Sequence, residues 1–96
     1  MAELVWTREA ERWLKDIYNY IALDNPDAAN SVVEGIYART QTLLEFPESR
    51  YRYEGYSEDV RILLYGHYRI AYKAQDDQII VLGVFHGALA IERYLI

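Results

Sequence analysis

A chain of 96 residues falls within the span of one domain and is expected to bury only about two-thirds of the surface that its unfolded form exposes. Hydrophobic residues at 52% and charged residues at 26% supply both a core and a solvated surface, which argues against disorder over most of the length. Cysteine is absent, and with it disulfide frameworks, thiolate metal sites and thiol nucleophiles. The net charge is −5, unevenly placed: residues 1–49 carry four Lys/Arg against nine Asp/Glu, whereas residues 50–96 carry six of each. An anionic partner would have to be met in that second half, where Arg50, Arg52, Arg61, Arg69 and Lys73 face only Glu54, Glu58 and Asp59.

Taken in chain order, Leu4, Val5 and Trp6 form a short β-prone run, and Thr7 follows as a helix N-cap with Glu9 and Glu11 in the first turn. Ala10, Trp13, Leu14, Ile17 and Ile21 then recur at spacings of three and four, which predicts an amphipathic helix over 7–23. In Asp24-Asn25-Pro26-Asp27 the helix stops and restarts: Asn25 can cap, Pro26 suits the first helical position and Asp27 suits the dipole. Ala29, Val32, Val33, Ile36, Thr40, Leu43 and Leu44 carry a second helix until Phe46-Pro47 ends it, giving an αα-hairpin.

After Pro47 the period changes to two. Val60, Ile62 and Leu64 alternate with Arg61, Leu63 and Tyr65; Gly66-His67 turns the chain; Tyr68, Ile70 and Tyr72 alternate with Arg69, Ala71 and Lys73. A polar turn, Gln75-Asp76-Asp77-Gln78, leads into residues 79–85, apolar on both parities as in an interior strand covered on both faces. Ala88, Ile91 and Leu95 stand at helical spacing and admit a short C-terminal helix. The expected fold is α+β: an N-terminal strand, which pairs at a sheet edge, an αα-hairpin lying across one face, then an antiparallel three-stranded sheet, in one domain over 1–96. The amino terminus lacks the basic and apolar runs of a signal peptide, and the longest apolar stretch is far below the roughly 18 residues that span a bilayer, so the expected location is cytoplasmic, away from membranes.

No complete catalytic signature is present: no GxSxG, no phosphate loop, no HExxH, and only two histidines, His67 in a turn and His86 at a strand end. Neither a metal nor another cofactor is expected. The one chemical constellation is Arg61, Arg69, Lys73 and His86 among Tyr51, Tyr53, Tyr65, Tyr68, Tyr72 and Tyr94. Guanidinium groups can neutralise phosphates while rings stack bases, but aromatics are also favoured on half-buried strands simply for packing, and Arg69 could equally pair with a helix carboxylate. A strict two-residue loop at Gly66-His67 would set Tyr65 opposite Tyr68 and Leu64 opposite Arg69, and so project Arg61 and Arg69 from opposite faces; a loop one residue longer would put them together.

The element order, Asp59-Val60-Arg61, the run from Gly66-His67-Tyr68-Arg69 through Ile70-Ala71-Tyr72, the Asp-Asp turn and the closing Val81-Leu82-Gly83-Val84-Phe85-His86-Gly87 together resemble the RelE/ParE superfamily of type II toxins over nearly the whole chain. The resemblance implies a small toxin held inactive in a hetero-oligomer with a cognate antitoxin whose segment wraps its surface. RelE-like members cut messenger RNA on the ribosome with basic residues and a C-terminal tyrosine. ParE-like members are similar in fold, lack that basic set and poison DNA gyrase.

Here the basic residues expected after the last strand are replaced by Ala88 and Leu89, and those expected on the first hairpin strand by Val60, Ile62 and Leu64. Metal-free RNA cleavage needs a base, an acid and cations around the phosphorane, and only His86 is an obvious base. The resemblance therefore implies a ParE-like gyrase poison more than an enzyme, with Arg61, Tyr68, Arg69, Tyr72 and Lys73 meeting the target and Trp13, Ile17 and Tyr20 meeting the antitoxin. The alternative is a metal-independent, ribosome-dependent endoribonuclease using Arg61, Arg69, His86 and Tyr94. A further alternative is a non-toxic member that only binds its antitoxin.

Overall fold

The computed structural model describes residues 3–45, 51–52 and 60–86. The chain begins with strand β1 (Glu3–Trp6) and passes at once into helix α1 (Arg8–Ala22). The Thr7 hydroxyl caps α1 by accepting from the Ala10 amide at 3.0 Å. A short turn leads to helix α2 (Pro26–Gln41), where the Asn25 side chain accepts from the Ala28 amide at 3.1 Å and Pro26 occupies the first turn. Both starts fall where side chains can satisfy amides that a helix leaves unpaired. A single 3₁₀ turn, Thr42–Leu44, extends α2.

The remaining elements are β2 (Tyr51–Arg52), β3 (Arg61–Tyr65), β4 (Tyr68–Gln75) and β5 (Gln78–His86). The sheet has the order β1-β5-β4-β3-β2, with β1 parallel to β5 and every other pair antiparallel. The first strand thus lies at one edge, as its separation from the hairpin implies. The two-residue strand β2 at the other edge has no counterpart in the sequence pattern, because two residues carry no readable period. The expected C-terminal helix and Tyr94 lie outside the described residues.

Both hairpin loops contain two residues. Asp76 and Asp77 have φ of 50° and 60°, the left-handed pair of a type I′ turn, while Gly66, at φ 57°, takes the first central position of the other loop. The strict loop at Gly66-His67 fixes the register Tyr65↔Tyr68, Leu64↔Arg69 and Arg61↔Tyr72. Directly opposed residues share a face, so Arg61 and Arg69 project from opposite faces of the sheet.

The helices cover one face. Ala10 and Leu14 of α1 and Ile36 of α2 pack on Leu63, Ile70, Tyr72, Ile79, Val81 and Val84. An irregularity explains why residues 79–85 read as apolar on both parities. On β5 the partners of Ala71 and Tyr72 are Gly83 and Val81, so Leu82 is an extra residue and the pleat changes phase there. Ile79 and Val81 before the bulge, and Val84 after it, all face the helices, whereas Phe85 turns to the far face with Val60, Ile62 and Ala71. The bulge is held from the helix side, since the Thr7 amide donates to the Val81 carbonyl at 3.1 Å and the Thr7 hydroxyl reaches the Leu82 carbonyl at 3.5 Å.

Candidate functional site

β1 pairs with β5 only as far as Val81. Beyond that point the described residues place no strand on this edge of β5, β4 continuing to pair with it on the other, and α1 passes along the open side. Its successive turns present Trp13, Asp16, Ile17 and Tyr20, while the sheet contributes Tyr68, Val84 and His86; together they line an open groove of roughly 550 Å³. The spacing 13, 16, 17, 20 is one helical stripe, and Tyr68, Val84 and His86 share the helix-facing side of β4 and β5 after the bulge. Without the phase change at Leu82, His86 would face away from α1.

The groove is built in graded depth. Trp13 reaches past the edge of β5 to set its ring against Phe85, centroids 5.3 Å apart and edge to face. Ile17 is half-buried against the main core. Tyr20 at the mouth is 79% exposed. On the sheet side the His86 ring stands perpendicular to Tyr68 at 5.8 Å and nearly parallel to His67 at 6.2 Å. Burial raises the Tyr68 phenol above its ordinary value, so it stays neutral and serves as donor or wall, never as an anion near neutral pH. Among the described residues of the lining, Asp16 is the only carboxylate and there is no lysine or arginine.

Trp13, Ile17 and Tyr20, named above as the residues meeting an antitoxin, all line this surface. Tyr68, Val84 and His86 complete it; the register that brings strand and helix together is what sequence spacing lacked. The basic set does not converge. Arg61 lies opposite Tyr72 and His86 opposite Tyr68, four residues apart along β4, or about 13 Å at the rise of an extended strand. Arg69 is opposite Phe85 on the other face. Tyr72, expected to meet a macromolecular target, is fully buried between sheet and helices and has no surface to offer. Lys73 and Arg69 are half-exposed on the face away from the helices. Among the described residues no group of three or more His, Asp or Glu side chains could hold a metal ion, and no helix is long and apolar enough to cross a membrane.

An αα-hairpin on a sheet whose first strand is parallel to its last, carrying an apolar groove and a dispersed set of cations, defines a small α+β domain. Residues 4–90 match the sequence model described as ParE toxin of type II toxin–antitoxin system, parDE. The chain therefore belongs to the ParE toxin family. It is similar in fold to a solved structure of the chromosomal ParDE TA system from P. aeruginosa, with a TM-score of 0.78 and 24% identity, covering 90% of this chain and 96% of that one. No match emerges among curated protein sequences.

Proposed function

We propose that this chain is a growth-inhibiting toxin that acts by binding, poisoning DNA gyrase in its DNA-cleaving state, and that a cognate antitoxin neutralises it through the groove between α1 and the open side of β5. The observation that carries the reading is the family match over residues 4–90, joined to a site in which the cations needed for RNA cleavage lie on two faces and at two ends of the sheet. The groove supplies the antitoxin side: an aromatic pair from α1, Trp13 and Tyr20, flanks Ile17, the pattern that accepts an apolar anchor from a segment ordering on contact. The target side is assigned to Arg69 and Lys73 on the opposite face; Arg61 and Tyr68 lie on the helix-facing side, Tyr68 within the groove.

The test is a supercoiling and cleavage assay with purified gyrase and the untagged chain. Inhibited supercoiling with accumulation of cleaved DNA supports the reading, and addition of the antitoxin encoded beside it should reverse both effects. Unimpaired supercoiling alongside growth arrest and codon-positioned transcript cuts in expressing cells would overturn it in favour of RNA cleavage.

A further inference from the structure

The chain contains only two histidines, 19 positions apart, and the fold brings them together. His86 closes β5 directly opposite Tyr68, the residue that follows His67 out of the hairpin loop. Their imidazoles stand 6.2 Å apart, centroid to centroid, with planes inclined by only 25°. Both are exposed, His86 lines the groove, and the edge-on phenol of Tyr68 walls the His86 ring on one side at 5.8 Å.

We propose that His67 and His86 jointly bind a divalent transition cation of the zinc, nickel or copper type at this end of the sheet. Metal–nitrogen bonds of about 2.1 Å at a tetrahedral angle place two imidazole centroids about 5 Å apart, so the pair is about 1 Å from chelating distance. The rings are nearly parallel, so their in-plane nitrogens do not converge as they stand; rotation of both exposed side chains about χ1 and χ2 has to turn the planes toward a common point as well as close that distance, outside the core. Imidazole is a good ligand for these ions, whereas magnesium and calcium demand oxygen donors that this rim does not gather. The local field is also favourable: among the described residues of the groove lining, Asp16 contributes the only formal charge, and it is negative.

Two protein nitrogens leave further coordination positions for water or for a side chain of a docked protein. Because one ligand comes from the loop before β4 and the other from the end of β5, the ion would staple two strands at the end where β1 no longer supports the sheet. The proposal is independent of the gyrase reading, since it concerns only the free chain.

The experiment uses the untagged chain after exhaustive chelation, titrated calorimetrically with zinc, nickel, copper and magnesium chlorides, with histidine ring resonances followed in parallel during the zinc titration. The expected result is one equivalent of zinc, nickel or copper bound, no response to magnesium, and movement of both histidines' resonances together. His67→Asn and His86→Asn should each weaken binding about tenfold or more, at least the effect of losing an outer-shell partner, while circular dichroism shows both variants folded. Binding that survives either substitution unchanged, or a zinc titration that moves only one histidine, would overturn the proposal.

Discussion

Phe85 folds its ring over Gly83, two residues earlier on the same face of β5: a Cβ on Gly83 would stand 2.5 Å from the ring Cζ and 2.7 Å from Cε2. The ring cannot yield easily, being 1% exposed and held edge-on by Trp13. This contact is why the strand tolerates a glycine beside the bulge, and it ties the far face of the sheet to α1. Gly83→Ala should therefore destabilise the protein by about 1–3 kcal/mol, as overpacking does in a filled core. Denaturant midpoints check this, and adding Phe85→Leu should recover part of the loss by making room.

The two hairpin loops respond to substitution in opposite directions. Asp76 and Asp77 both occupy left-handed backbone, which costs a residue other than glycine about 1–2 kcal/mol, with aspartate and asparagine at the low end. Combining Asp76→Asn with Asp77→Gly installs the pair that a type I′ turn favours most, and should stabilise the protein by about 1 kcal/mol, or roughly 4–8 °C in Tm for a domain of this size. Gly66→Ala, at φ 57° with nothing within 4 Å of the added Cβ, should lose about as much through backbone strain alone. Thermal melts of the two variants therefore move apart.

The distribution of what sequence revealed follows from the range of each interaction. Helix starts at Thr7 and Asn25 were legible because capping acts within three residues, and the hairpin register was legible as one of two options because loop length alone sets it. On the helix side of the groove, Trp13 and Ile17 are legible within the apolar stripe of α1, and Tyr20 follows one turn on. The other half of the groove depended on a bulge at Leu82 that no local signal announces: a run apolar on both parities reads as a strand covered on both faces, and the phase change that turns His86 toward α1 hides within it. Tyr72 is a different case: it shares the parity of Ile70 on β4, and what alternation leaves open is that the helices cover that face completely at Tyr72.

Alkaline pH should expose the burial of Tyr68. Desolvation raises its phenol above the ordinary value of 10.0, so between that value and the raised one the folded state holds a proton that the unfolded state has released. Stability is then undiminished below about pH 10 and falls as pH rises through the folded-state value. Tyr68→Phe removes that proton and should flatten this part of the profile. Urea midpoints of the two proteins, compared across the alkaline range, isolate Tyr68 from the other tyrosines, and parallel profiles would show that its burial carries no linkage.

The groove separates folding from binding because its residues differ in depth. Tyr20, 79% exposed, makes little contribution to the core, so Tyr20→Ala should change stability by no more than about 0.5 kcal/mol. If it anchors the antitoxin, the same substitution should weaken that complex by about 2 kcal/mol, close to thirtyfold in Kd, as removal of an aromatic hot spot does. Trp13→Ala should reduce both quantities, since the Trp13 ring also packs on Phe85. Leu64→Ala, 47% exposed on the sheet face away from the helices, serves as the control that should leave antitoxin affinity unchanged. Calorimetric titration with the antitoxin measures all three. In cells, a Tyr20→Ala toxin should escape neutralisation at antitoxin levels that silence the parent, because a thirtyfold loss of affinity frees toxin while its target face is intact.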